Sequence, residues 1–258
     1  MERLEQALIK ARDRRNNRSG EAFKLVRGQR PTAPVTYQQT LRVPLNREAL
    51  ARNLIVTHQV NHEVTDVFRS LRAQVLRRMT RHGNMTLGIT SVGAGEGKTT
   101  LALNLAIAIS MDVNQTVLLV DADLRSPGIA RALGINVTNG LEDILAGRAS
   151  VEECLINPGL ERLCILPAHE SIDNSAELLS SPQMQQLVAE LKGRYLDRLV
   201  IFDLPPLLTV GDTLGFLPLI DSTLLVVRDG TVQEADLRRM TNLLREHNLI
   251  GTVLNAAA

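Results

Sequence analysis

Three glycines on alternate positions, followed by a lysine and two threonines, form the strongest chemical signal in this 258-residue sequence: Gly93-Ala94-Gly95-Glu96-Gly97-Lys98-Thr99-Thr100. Alternate glycines let a backbone curl until successive N–H groups point at one anion. The run Leu87-Gly88-Ile89-Thr90-Ser91 reads as a strand leading into the loop, and Leu101, Leu103, Leu105 and Ala106 begin a helix after it. Strand, glycine loop and helix in that order are the setting of a Walker A phosphate loop. The helix start adds its unpaired N–H groups and the positive end of its dipole. Residues Gly93 to Thr100 are therefore expected to cradle phosphates, Lys98 to bridge the β- and γ-phosphates, and the Thr99 hydroxyl to ligate Mg²⁺. The expected cofactors are ATP and Mg²⁺. One position departs from the strict pattern: Val92 stands where the first glycine belongs.

Two more apolar runs end in carboxylates. Val117-Leu118-Leu119-Val120 leads into Asp121-Ala122-Asp123-Leu124-Arg125-Ser126-Pro127, and Leu199-Val200-Ile201-Phe202 leads into Asp203-Leu204-Pro205-Pro206. Asp121 and Asp123 are spaced to share a Mg²⁺, directly or through water, or to offer one general base. Arg125 is a candidate for stabilising phosphate charge, in its own subunit or a neighbour's. Four apolar residues and then Asp203 have the Walker B form, in which the carboxylate holds Mg²⁺ through water. The plainer readings are an acidic turn with a local Asp–Arg pair, and an aspartate capping the next element. Beside a phosphate loop both lose weight.

The surrounding elements must bring these segments to one edge. Short apolar runs at Leu87–Thr90, Val117–Val120, Leu163–Leu166, Leu199–Phe202, Leu224–Val227 and Leu249–Leu254 alternate with helical stretches, one of them over Val232–Arg245. Runs apolar at every position are strands buried on both faces, as in a parallel sheet covered by helices. The fold class expected is α/β, a doubly wound, mostly parallel sheet. Ligands in such sheets sit beyond the carboxyl ends of the strands, which puts Asp121, Asp123 and Asp203 on the edge of the phosphate loop. Aromatic residues are only 2% of the chain, so the core must be aliphatic.

Before residue 63 the sequence is different in kind. Leu4, Ala7, Leu8 and Ala11 suggest a short helix within 1–17, and residues 18–48 read as a linker punctuated by Gly20, Gly28, Pro31, Pro34 and Pro44. A helix resumes over Glu63–Met79. The division expected is 1–62, a basic helix and linker, and 63–258, the ATPase domain. Residues 1–48 hold 11 Lys/Arg against 5 Asp/Glu, and the rest of the chain 18 against 23. Such an arm suits anionic lipid, nucleic acid, an acidic partner face or plain solvation; no nucleic-acid motif accompanies it, so no nucleic acid is expected. Cys154 and Cys164 are too few for a disulfide framework or a zinc site and read as free thiols. The five histidines are scattered and none is assigned to chemistry. No apolar run approaches the ~20 residues of a membrane span, and the first residues lack a signal-peptide segment, so a cytoplasmic place is expected.

The quoted segments resemble the Walker A, A′ and B motifs of the bacterial tyrosine kinases of capsule and exopolysaccharide systems, the CpsD/CapB family. The likeness continues through Asn174-Ser175-Ala176-Glu177-Leu178-Leu179, Leu224-Leu225-Val226-Val227-Arg228 and Gly251-Thr252-Val253-Leu254-Asn255, and covers roughly residues 63–256. Met1–Arg15 also resembles the start of exosortase-linked autokinases. The resemblance implies a fold close to the MinD/ParA ATPases, phosphate and Mg²⁺ contacts at Lys98 and Thr99, and Mg²⁺-handling or catalytic carboxylates at Asp121, Asp123 and Asp203. It also implies Asn255 near the adenine. A Glu-x-x-Arg-x-x-Arg face builds rings in the family; here Asp66, Arg69 and Arg72 match it, with Asp in place of Glu, which implies a homo-oligomer. A membrane polysaccharide co-polymerase, or chain-length determinant protein, is the implied partner and would hold the protein at the inner membrane.

The family's C-terminal tyrosine cluster has no counterpart in the sequence, which closes Asn255-Ala256-Ala257-Ala258. Tyr195, just before the Walker B strand, reads as packed, and Tyr37 in the linker is the sole acceptor candidate. Phosphate would go to Tyr37, to another protein, or to no tyrosine. Three readings follow: an ATP-dependent tyrosine kinase serving exopolysaccharide production, a non-phosphorylating ATP-driven switch for the membrane partner, and a positioning ATPase of the MinD/ParA type. The last ranks third, because Gly93 stands where those proteins carry an extra lysine.

Overall fold

The computed structural model describes residues 40–57, 59, 63–193, 198–208 and 211–255. The expected helix within 1–17, Tyr37 and Tyr195 lie outside the described residues. The strands are β1 (Leu41–Arg42), β2 (Thr86–Ser91), β3 (Thr116–Asp121), β4 (Ile156–Asn157), β5 (Leu163–Leu166), β6 (Arg198–Asp203), β7 (Ser222–Arg228) and β8 (Leu249–Asn255). They form one eight-stranded sheet in the order β1-β4-β5-β3-β6-β2-β7-β8. Every pairing is parallel except β4 with β5. The doubly wound α/β fold expected from the alternating runs is the fold observed.

The helices are α1 (Arg47–Arg52), α2 (Glu63–His82), α3 (Lys98–Ser110), α4 (Ile129–Leu133), α5 (Leu141–Leu145), α6 (Val151–Cys154), α7 (Ser175–Leu179), α8 (Pro182–Gly193), α9 (Asp212–Phe216) and α10 (Glu234–Leu244). Successive strand residues face opposite ways, so each all-apolar strand feeds two cores. Val117, Leu119, Leu199, Ile201, Leu224 and Val226 join one cluster with Leu50, Val75, Met79, Leu103 and Ile129, from α1 to α4. Leu118, Val120, Val200, Phe202, Leu225 and Val227 join the other with Leu141, Met184, Leu187, Phe216 and Met240. The phenyl rings of Phe202 and Phe216 meet edge-on, 5.0 Å between centroids. Helix α3 is nearly apolar all round because it is covered on both sides, by the sheet and by α2. Gly88 is needed at the middle of β2: a Cβ there would stand 2.4 Å from Ile220 Cδ1 and 2.7 Å from Leu204 Cδ1.

The stretch read as linker through residue 48 gives way at Leu41. β1 extends the sheet beyond β4, and α1 follows, its N-terminus capped by Asn46 Oδ1, which accepts the N–H groups of Glu48 and Ala49 at 3.1 Å. Leu50 and Ile55 are fully buried. Asn104, on α3 and itself buried, fastens the segment. Its Oδ1 accepts Val56 N at 2.9 Å and Thr57 N at 3.1 Å, and its Nδ2 donates to Leu54 O and Thr100 O, both at 2.9 Å. A two-residue strand and a six-residue helix carry too little periodicity to be seen in sequence. Their order comes from tertiary contacts.

Candidate active site at the phosphate loop

Register decides which carboxylates meet. Asp121 and Asp203 are aligned partners on neighbouring strands β3 and β6, and β2, beside β6, delivers the loop to the same edge. The loop closes on Gly97, whose φ of +89° favours glycine, and α3 starts at Lys98. Glu96 turns its carboxylate back onto the loop's own start: Oε1 accepts Gly93 N at 2.8 Å and Oε2 accepts Val92 N at 3.3 Å. Glu96 and Gly93 therefore shape the loop. Ala94, Gly95, Gly97, Lys98, Thr99 and Thr100 line a cleft of about 440 Å³, a volume within the range of ligand pockets.

Four side chains interlock at the base of the cleft. The Thr99 hydroxyl donates to Asp203 Oδ2 at 2.6 Å. Lys98 Nζ lies 2.6 Å from Asp123 Oδ2 and 3.7 Å from Asp203 Oδ1. Asp121 Oδ2 accepts Gly128 N at 3.0 Å and Ile129 N at 2.8 Å, which seats the start of α4. Asp123 Oδ1 accepts Ser126 N at 3.1 Å and holds the turn before it. The turn after Asp203 is fixed through Pro205 O, which accepts the hydroxyls of Thr90 and Thr213, each at 2.7 Å.

The electrostatics are unbalanced in one direction. Burial works against the Lys98 charge, but Asp203, Asp123 and Asp121 outweigh it and lift the ammonium above the ordinary lysine range. Burial, then the neighbouring Asp203, pushes Asp121 well above the ordinary carboxylate range. Burial also raises Asp203, against the pull of Lys98 and the Thr99 hydroxyl. Three carboxylates face one lysine, and Asp121 Oδ1 and Asp203 Oδ1 are buried without a hydrogen-bond partner. Orphaned buried oxygens of this kind suit a divalent cation, and the glycine loop suits the phosphates such a cation would accompany.

The other expected site residues are spread wider. Arg125 borders the cleft, half-exposed, with Nη2 donating to Asp173 O at 3.2 Å and Nε 3.8 Å from Asp212 Oδ2. Asn255 Nδ2 donates to Glu96 O at 2.9 Å, so its amide grips the loop from the end of β8. Sequence reading missed Asn53 and Arg131 on the cleft wall. Asn53 Nδ2 donates to Ala49 O at 2.8 Å and to Ala132 O at 3.0 Å, tying α1 to α4. Nothing in the sequence around Asn53 signals this, whereas Arg131 follows Arg125 closely enough to have been suspected. Cys154 and Cys164 are buried thiols that form no disulfide.

The AAA domain family profile matches residues 86–249. The tyrosine-protein kinase YwqD of Bacillus subtilis is 30% identical over 208 residues, covering 80% of this chain and 86% of that protein. The chain belongs to the bacterial tyrosine-protein kinases. It spans 22% and 25% of two longer curated tyrosine-protein kinases that it also matches. Among solved structures, the kinase domain of the Escherichia coli tyrosine kinase ETK superposes with a TM-score of 0.72 at 27% identity, over 84% of this chain and 89% of that one. The septum site-determining protein MinD of Pyrococcus horikoshii, complexed with Mg-ADP, superposes at 0.56 and 25% identity, over 66% of this chain and 69% of that one. The P-loop ATPase fold is common to all of these, and the kinase domain accounts for more of the chain.

Proposed function

We propose that the chain transfers the γ-phosphate of ATP to tyrosine, on itself or on another protein, in the control of exopolysaccharide or capsule production. The observation that carries this reading is the contact of Lys98 and Thr99 with Asp123 and Asp203 at the end of a glycine loop. Mg²⁺ would be held by Thr99 and Asp203, with Asp121 behind them, and would neutralise charge developing on the phosphates. Lys98 and the loop N–H groups hold the β- and γ-phosphates in line. Asp123 lines the cleft and is the carboxylate suited to accept the tyrosine proton. Asp121, fully buried, stays on the metal side.

Arg125 would add positive charge at the cleft mouth, and Asn255 would act by holding the loop. Of the oligomer face, Arg72 Nη1 donates to Ala108 O at 2.8 Å within the chain, while Asp66 and Arg69 pair at 2.6 Å on the exposed side of α2. Asp66 and Arg69 are thus the residues proposed to meet a second copy. No described helix is long and apolar enough to cross a membrane. Association with the inner membrane is proposed to run through a polysaccharide co-polymerase.

The Lys98–Asp123 contact favours a second reading. Phosphate arriving at Lys98 competes with Asp123 and loosens the turn that Asp123 caps, as an ATP-driven switch requires. Incubation with Mg²⁺ and γ-labelled ATP, following phosphotyrosine and free phosphate together, separates the two. Phosphotyrosine supports the kinase, and its loss in Tyr37→Phe locates the acceptor. Free phosphate without phosphotyrosine supports the switch.

A further inference from the structure

A second group of ligand-type side chains lies away from the phosphate loop, where the chain leaves β5. His169 Nε2 is 3.1 Å from Asp143 Oδ2 and 3.4 Å from Glu142 Oε1. One donor atom from each of the three residues falls within 4.8 Å of the others. Glu142 is only 2% exposed and Asp143 only 8%. Glu142 Oε1 is occupied, accepting the N–H groups of His169 and Glu170, each at 2.9 Å. Glu142 Oε2 is buried and has no hydrogen-bond partner. It lies over Gly140, where a Cβ would stand 2.5 Å from it, and Gly140 N donates to Asp143 Oδ2 at 2.9 Å. The unpartnered oxygen therefore lies beside Gly140, the residue whose N–H holds Asp143 Oδ2. Arg148 engages the other Asp143 oxygen, Oδ1, at 2.8 Å and leaves the His169 side open.

We propose that Glu142, Asp143 and His169 bind a divalent transition-metal ion of the zinc class. One imidazole nitrogen with two carboxylate oxygens is a donor set that zinc accepts, with water completing the shell. An ion there supplies the partner that Glu142 Oε2 lacks. The negative field of the group reaches Cys154, whose thiol is pushed up to about 12 by burial first and then by Asp143, Glu142 and Glu153. Its Sγ donates to Gly140 O at 3.4 Å, and it is not counted among the ligands. The site would also stiffen the loop behind Arg125. Ser171 Oγ donates to Arg125 O at 2.6 Å, Ile172 N donates to Leu124 O at 2.8 Å, and Arg125 reaches Asp173 O. Fixing His169 at one end of this loop fixes the segment that carries Arg125 at the cleft.

The test is Zn²⁺ titration of the chelator-stripped full chain by calorimetry, with excess Mg²⁺ present to occupy the phosphate-loop carboxylates. One equivalent is expected to bind, and also in Asp203→Asn. His169→Ala and Glu142→Gln should each weaken binding about 100-fold, since loss of even an outer partner of a metal site costs 10–100-fold. Glu142→Gln keeps an oxygen for the two backbone N–H groups, so it guards against a folding artefact in His169→Ala. If the wild-type chain binds no Zn²⁺, or if both variants bind it as the wild type does, the proposal is overturned.

Discussion

Thr99 Oγ1 and Asp203 Oδ2 lie 2.6 Å apart although 104 residues separate them in the chain. One lies in the first turn of the helix after β2 and the other ends β6, so the contact exists only because those strands are parallel neighbours. Thr99→Val removes the hydroxyl and leaves buried Asp203 Oδ2 without that hydrogen bond. The expected result is loss of about tenfold in nucleotide affinity, ~1.4 kcal/mol, confined to the Mg²⁺-dependent part. Titration of a fluorescent ATP analogue with and without Mg²⁺ reads it. An equal loss in both conditions would mean that Thr99 serves the loop's structure instead.

Asp121→Asn should stabilise the nucleotide-free protein at neutral pH. The native Asp121 carboxyl is raised well above its unfolded value, so between the two the folded state binds more protons than the unfolded state. Stability therefore falls as pH rises from about 4 towards the native pKa, and stays lowered above it. Asparagine cannot ionise and keeps an oxygen for Gly128 N and Ile129 N. In chelator at pH 7 the melting temperature should rise, by about 2–4 °C for each 1 kcal/mol in a domain of this size. The gain should vanish near pH 4, while Mg²⁺-dependent nucleotide binding is weakened.

Asn255 holds the loop at Glu96 O, and Gly97 leaves it room: a Cβ at Gly97 would be 2.3 Å from Asn255 Nδ2. Asn255→Ala should cost one hydrogen bond, about 1 kcal/mol of stability, read as a fall of about 2–4 °C in melting temperature together with weaker ATP binding. Gly97→Ala should cost more, because it adds a left-handed φ to the collision. Combining the two substitutions should recover only the collision. Full recovery in the double variant would show that backbone strain at Gly97 is unimportant.

Legibility in the sequence followed how local each feature was. Gly93 to Thr100 act as neighbours along the chain, so their chemistry could be read directly. The strands around Val117–Val120 and Leu199–Phe202 were equally plain, because burial on both faces leaves every position apolar. That Asp121 and Asp203 share the edge of the phosphate loop followed from a parallel sheet, whereas their aligned pairing depends on β3 lying beside β6. Residues 41–57 were hidden, since their order depends on Asn104, half a domain away in sequence. Asn255 was expected near the adenine by resemblance; its bond to Glu96 O, by contrast, carried no signal in the sequence. Glu142 and His169 carried no signal at all: 27 residues separate them, and their contact requires the turn after β5 to fold over α5.

Asn104 deserves a direct test as the fastener of the N-terminal segment. Asn104→Ala abandons three backbone groups, Val56 N, Thr57 N and Leu54 O, while Thr100 O keeps its helical partner in α3. Unfolding in urea should show a loss of about 3 kcal/mol, since buried groups left unpaired cost ~1–3 kcal/mol each and some relax to water. Hydrogen exchange should rise first over residues 47–57. Protection there equal to wild type would show that Leu50 and Ile55 hold the segment without Asn104.

The central claim is that Lys98 and its three aspartates form a phosphoryl-transfer centre. Its most direct test is total consumption of γ-labelled ATP, into protein and into water, by wild type and by Lys98→Met under identical Mg²⁺. Removing one preorganised charge contact of this kind typically costs about 10²–10³-fold in rate. A loss of that size in Lys98→Met, with the fold retained by circular dichroism, is the expected result. Consumption by Lys98→Met at the wild-type rate would contradict the assignment of this cleft.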